Sequence, residues 1–192
     1  MPESVPDPHA SPRRGTLLVA SPRMLDPNFM HTVILVCEHA AEGTFGLVLN
    51  RPMPVLVADL DATMPLLRGR RDPVWAGGPV STSELHVVHR VDGEIPGAMT
   101  IADGVRFGGD PAVLHSALSA APDAQVRFIV GYAGWGAGQL DAEMAEGSWI
   151  VVPATAKRVF DDRPDTLWRR VLRAEGGTVA ELADVPPDPS WN

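Results

Sequence analysis

The chain is predicted to fold as a single α+β domain around a curved, mostly antiparallel or mixed sheet with about four short flanking helices. Three observations carry that prediction. Apolar runs of strand length, TLLVA and TVILVC among them, recur through the first half and are joined by short turn-forming segments. Helical spacing appears in only a few short stretches, chiefly in the second half. The order also lacks the regular strand–helix alternation of a doubly wound parallel fold.

Residues 16–21, TLLVAS, read as the first strand. LDPNFM follows, with Asp26, Pro27 and Asn28 in the order of a tight turn: a capping acid, a fixed φ, then a residue tolerant of unusual backbone angles. In TVILVCEH, Val33 to Cys37 are all apolar, so both faces of that strand are expected to be covered. AAEG is a hairpin connection, and TFGLVLNRP returns as a similar strand. Residues 55–67 suggest a short helix with Leu56, Leu60 and Leu67 inward, disturbed by Pro65. VWAGGPVS and ELHVVHRV give a strand, a Gly-Gly-Pro turn and a strand; AMTIADGVRF gives a hairpin about Asp103-Gly104. Asp110-Pro111 starts a helix whose buried stripe is Val113, Leu114, Ala117 and Leu118. VRFIVGYAG is a strand, QLDAEMAE a short helix stopped at Gly147, and SWIVVPA another strand. A last helix, PDTLWRRVLRA, buries Leu167, Trp168, Val171 and Leu172. Residues 1–14 are expected to be a flexible lead, residues 15–177 the domain, and residues 178–192 a proline-rich tail.

Composition narrows the function. The formal charge of −8 and a single lysine, Lys157, weigh against a general nucleic-acid surface, because affinity for a polyanion rests on many cationic contacts to phosphate. No apolar run approaches the ~20 residues of a membrane span, and the N-terminus carries no apolar core of a signal peptide. One cysteine, Cys37, excludes a disulfide framework within the chain. A cytoplasmic location is expected.

The glycine-rich stretch GYAGWGAG invites a phosphate loop and fails its requirements. Gln139, not lysine, follows Gly138, and Gly134, Gly136 and Gly138 are evenly spaced where a dinucleotide loop needs unequal spacing. Asp141 and Glu143 in the following helix also oppose an anion. A tightly packed turn beside Tyr132 and Trp135 is expected. Cys37 and His39, two apart on one strand, would share a face, at a separation large for direct proton transfer. His86 and His89 would lie on opposite faces; no metal ligand set and no cofactor is expected. Turn and cap chemistry accounts for Asp26, Asp59, Asp61, Asp103 and Asp110. What remains is a set of polar and aromatic loop residues: Asp26, Asn28 and Phe29 in LDPNF, Asn50 and Arg51 in LNRP, Ser81, Tyr132 and Trp135. Either the fold gathers them into a binding surface or each is separately a turn former.

The blocks GTLLVASPRMLDPNFMHTVILVCEHAAEGTFGLVLNRP, AGGPV and GYAGWGAGQLDAEMAEGSWIVVPA, in that order, closely resemble the YqgE/AlgH family of bacterial proteins, from about Gly15 to Gly176. The resemblance implies a bifurcated, pseudo-barrel sheet in a cytosolic protein, with a proposed role as a transcriptional regulator and no catalytic residues to carry over. Two departures stand out: Ala137 where proline is frequent, and His31 where arginine is frequent.

Three readings follow. The first is a non-enzymatic binding or regulatory protein that uses Asp26, Asn28, Phe29, Asn50, Arg51, Tyr132 and Trp135 against a protein or small-molecule partner. The second is an enzyme at the same loops, with Arg51 orienting an anionic substrate and His39 or Cys37 reacting. The third is a direct DNA-binding regulator, which the net charge of −8 opposes. The incomplete catalytic set favours the first.

Overall fold

The computed structural model describes residues 11–61 and 63–185; most of the expected N-terminal lead and the end of the tail lie outside them. The first eight strands are β1 (Thr16–Ala20), β2 (Val33–Ala40), β3 (Gly43–Val48), β4 (Pro52–Leu56), β5 (Pro73–Ala76), β6 (Val80–His89), β7 (Ala98–Ala102) and β8 (Val105–Gly108). Helix α1 (Pro111–Ala120) then leads to β9 (Val126–Gly136), α2 (Gln139–Ala145) and β10 (Trp149–Pro153). The chain continues through α3 (Ala156–Val159), α4 (Pro164–Glu175) and α5 (Gly177–Glu181).

The strands form one curled, mixed sheet in the order β10-β1-β2-β3-β9-β6-β8-β7, and the long strand β9 forks it. One edge of β9 pairs with β6. Its other edge pairs first with β5, in parallel at Val74–Phe128, and then with β3, antiparallel from Gly46–Ala133 to Gly43–Gly136. The kink between the halves falls at Gly131, whose φ of +72° and close approach to the Gly78 and Val80 carbonyls suit only glycine.

The continuous apolar strands are explained by the layers they separate. Leu17, Val19, Leu35, Leu47 and Ile129 line the concave face with α4's Leu167, Trp168, Val171 and Leu172. Leu18, Ile34, Val36 and Val48 face a second core under α2, with Trp135, Leu140 and Trp149. A third core, around Phe128, Val74, Leu114 and Leu118, lies beneath α1. Residues from the N-terminal and C-terminal parts meet at Arg127. Its buried guanidinium donates to the Val159, Leu49 and Asp161 carbonyls and lies 3.8 Å over the Trp75 ring. Burial lowers its pKa to about 10, opposed by the Asp161 and Asp162 charges, so it remains cationic at neutral pH.

Four expectations are corrected. Residues 55–67 form no α-helix: Pro52 and Pro54 hold an extended β4, followed by a single 3-10 turn over Val57–Asp59. Leu56 and Leu60 are exposed as a result, and only Leu67 of the expected three is buried. Val113 of the expected α1 stripe is 38% exposed; of the four expected residues only Leu114 and Leu118 are buried. The glycine-rich segment 131–136 is not a turn but the second half of β9; the turn comes at Gly138, whose φ is +71°. The span expected as a tail begins with α5 and a 3-10 turn, where Ala183 is buried against the concave core. Beyond that, Ser21-Pro22, the Asp110 cap, the Asp103-Gly104 hairpin and the four buried residues of α4 stand where sequence chemistry puts them.

Candidate functional site

The LDPNF segment folds as a turn because Asp26 serves it twice. Its carboxylate accepts from the Asn28 N–H at 2.8 Å, and its carbonyl accepts from the Phe29 and Met30 N–H groups at 2.9 and 2.7 Å. LNRP, at the end of β3, then holds this turn from below. Asn50 accepts from the Val33 N–H at 3.0 Å and donates to the His31 carbonyl at 2.8 Å. Arg51 Nη2 donates to the Pro27 and Met30 carbonyls at 3.0 and 3.1 Å. Its fork is aimed at the chain's own backbone.

Phe29 closes the turn against the second core. Its ring lies 6.1 Å from Trp135 in stacked geometry and 5.7 Å from Trp149 edge-on. Both indoles donate to one carboxylate oxygen of Glu143, at 2.9 and 2.7 Å, and Gln139 donates to the other at 3.0 Å. Six of the seven residues singled out from the sequence thus belong to one assembly: Asp26, Asn28, Phe29, Asn50, Arg51 and Trp135. Tyr132 does not join them. It lies on the concave face against Phe45 and His86, on the far side of β9 from Trp135.

What this assembly presents to solvent is the crest of the turn. Leu25 is 63% exposed, and Asp26, Pro27, Asn28 and Arg23 are exposed around it. His31, held at φ +57°, rests on Trp168 with ring centroids 4.5 Å apart. Burial and the nearby Arg169 and Arg51 guanidiniums hold its pKa below the ordinary histidine value. The surroundings of the turn are therefore locally basic in a net acidic chain. Trp149 and Glu143 had no signal in sequence spacing, since nothing local announces that two indoles converge on one carboxylate.

The Cys37–His39 pair is not assembled. A bulge between Val36 and Glu38 inserts Cys37 as an extra residue, so alternation restarts beyond it. Cys37 points into the concave core, whereas His39 pairs with Thr44, the cross-strand neighbour of Trp135 on the other face. The expectation of a shared face is overturned by that one inserted residue. The thiol is fully buried, and burial raises its pKa far above the ordinary range against the smaller opposing effect of Arg14. His39 Nδ1 meets Thr44 Oγ1 at 2.7 Å, at the end of β3 opposite Arg51. His89, fully buried, is satisfied by the Gly108 carbonyl and the Val91 N–H.

Two recesses lie away from the turn. One, of about 230 Å³, is lined by His39, Thr44, Gly136, Gly138 and Asp141; another, of about 360 Å³, by Arg90, Asp92, Thr100, Asp103 and Arg106. Among the described residues no group of three or more His, Cys, Asp or Glu side chains gathers for a metal, and no helix is long and apolar enough to cross a membrane.

A family model described as AlgH-like (DUF179) matches residues 17–180. The chain is 39% identical over 180 residues to a UPF0301 protein of Chlorobaculum tepidum, covering 93% of this chain and 95% of that one. It is 40% identical over 190 residues to a UPF0301 protein of Streptomyces coelicolor, covering 93% and 94%. Among solved structures it is similar to protein DIP2367 of Corynebacterium diphtheriae, with a TM-score of 0.76, 25% identity and coverage of 92% and 94%. It is also similar to the AlgH protein of Pseudomonas aeruginosa, with a TM-score of 0.68, 28% identity and coverage of 92% and 97%. The family model and these likenesses agree: the chain belongs to the AlgH-like family.

Proposed function

We propose that this protein is a non-enzymatic binding protein that acts through a protein partner seated on the turn around Leu25 and the Arg51 shoulder beside it. The carrying observation is an apolar side chain, Leu25, left 63% exposed at the crest of a turn whose backbone is tied by Asn50, Arg51 and Asp26. A surface fixed in advance loses little conformational entropy on association, which favours it as an anchor. The two recesses described above are lined by none of the seven residues of this reading, which supports a protein over a small molecule. Arg23, Arg51 and Arg169 around the crest favour a partner with an acidic surface.

The enzymatic alternative draws less support. Cys37 is sealed in the core, and His39 stands at the other end of β3 from Arg51, roughly 20 Å away at ~3.3 Å per residue. A regulatory role of the kind the family resemblance implies would run through protein contact, because a charge of −8 opposes a DNA surface.

Photo-crosslinking in living cells tests the reading. A photoreactive residue at position 25 should give a discrete protein adduct that the Arg169→Glu substitution diminishes. The same residue at position 113, on exposed α1, should give none. Equal labelling from both positions would sink the proposal.

A further inference from the structure

The concave face ends in an aromatic layer that the turn surface does not use. Phe45 of β3, Phe107 of β8 and Tyr132 of β9 surround the His86 ring of β6, at centroid distances of 5.3, 5.9 and 6.0 Å. Phe45 also lies 4.8 Å from Tyr132 and 5.7 Å from Phe107. The three carbon rings are partly exposed, while His86 is 7% exposed.

His86 Nε2 is buried and meets no hydrogen-bond partner among the described residues. That contrasts with His89 on the same strand, whose two nitrogens are both served, as buried polar groups ordinarily are. Burial lowers the His86 pKa against the opposing charge of Glu84, and in the neutral tautomer protonated on Nδ1 the unpartnered Nε2 is a bare acceptor.

Two carboxylates border the layer. Glu84 lies two residues before His86 on β6, close enough for its charge to act on the ring. Glu38 stands opposite Phe45 in the β2–β3 register, on the aromatic side because the Cys37 bulge turns it there. Both are exposed, and among the described residues neither takes part in an ion pair.

We propose that this end of the half-barrel receives an arginine side chain of a partner protein between the Phe45, Phe107 and Tyr132 rings, with Glu38, Glu84 and the bare nitrogen of His86 as its acceptors. Aromatic faces attract a cation through their quadrupole, and the two carboxylates supply the countercharge. A guanidinium fits better than an ammonium. It is planar, weakly hydrated and forked, so it stacks on a ring while its separate N–H groups meet a carboxylate and the imidazole together. Nε2 has no exposed surface, so a guanidinium engages it only if the rings around it part. The proposal stands independently of the turn surface.

Tyr132 is the only tyrosine in the chain, which makes it a single-site reporter. The full-length protein, labelled with ¹³C in its tyrosine ring and ¹⁵N in its histidines, is titrated with a capped Gly-Gly-Arg-Gly-Gly peptide and followed by NMR. Saturable shifts at Tyr132 and His86 are expected. The peptide with citrulline, a neutral isostere, should bind at least about tenfold more weakly. N-acetylarginine amide should be weaker than the arginine peptide, and equal affinity would overturn a protein as the source. The Glu38→Gln/Glu84→Gln double variant should lose about fivefold or more in affinity with an unchanged melting temperature. His86→Phe, which keeps the aromatic layer and removes the nitrogen, should lose a similar factor. Absence of saturable shifts, equal binding of the citrulline peptide, or full affinity in the double variant would overturn the proposal.

Discussion

Replacing Asn50 by alanine should measurably loosen the turn and destabilise the whole protein. The side chain makes two hydrogen bonds to backbone, one from the Val33 N–H at 3.0 Å and one to the His31 carbonyl at 2.8 Å. Val33 is fully buried, so its N–H would be left without partner or water, at a cost of about 1–3 kcal/mol. The His31 carbonyl belongs to a half-buried residue that water can partly serve, adding about 0.5–1 kcal/mol. The sum is about 1.5–4 kcal/mol. At a slope of about 2 kcal/mol per molar urea, the unfolding midpoint should fall by about 1–2 M with the slope unchanged. Amide exchange should accelerate first at Val33. An Asn50→Ala midpoint within about 0.25 M of the parent would refute this account of the LNRP segment.

Glu143→Ala removes the shared acceptor of two indoles and should cost about 2–3 kcal/mol, with a red shift of tryptophan emission read against urea denaturation; an unshifted midpoint would contradict it. Cys37 should resist a thiol reagent in the native state and label only as the protein unfolds, so fast stoichiometric labelling without denaturant would show that the bulge opens. Burial lowers the native pKa values of His31, His86 and His89, whereas the unfolded rings titrate near 6.5. The unfolded chain therefore holds more protons in that window. Stability from these rings is full above about pH 6.5 and declines as pH falls toward the native values. Urea midpoints measured from pH 7.5 to 5 should show the decline, and His86→Phe should flatten it; a midpoint that rises on acidification would reverse the sign.

The legible parts of this chain are those decided locally. Apolar runs that fill both faces of β1 and β2 announce strands between two cores, and Asp110-Pro111 announces a helix start whatever surrounds it. The gathering of LDPNF, LNRP and Trp135 was raised as one of two alternatives, because spacing in sequence carries no information on which loops meet. Errors arose where one residue or one long-range contact outweighed the local pattern. Leu56, Leu60 and Leu67 have helical spacing, yet Pro52 and Pro54 hold Leu56 in an extended strand and only a 3-10 turn follows it. Cys37 and His39 alternate correctly on paper, and one bulge separates their faces. Tyr132 and Trp135 sit within one motif but serve different cores, because they stand three apart on β9 and alternation sends them to opposite faces of the sheet.

The position of β1 bears on how the chain comes off the ribosome. Residues 16–20 are made before β10 and α4, yet β1 lies between β2 and β10, and its Ala20 carbonyl accepts from Trp168 Nε1 across 148 residues of sequence. Half of its ladder and its cover from α4 therefore come from segments synthesised well after it. Until then Leu17, Leu18 and Val19, each fully buried in the finished fold, have an open edge and an uncovered face. A nascent chain arrested before β10 should be a client for chaperones, and release of β10 and α4 is what lets the sheet close over β1.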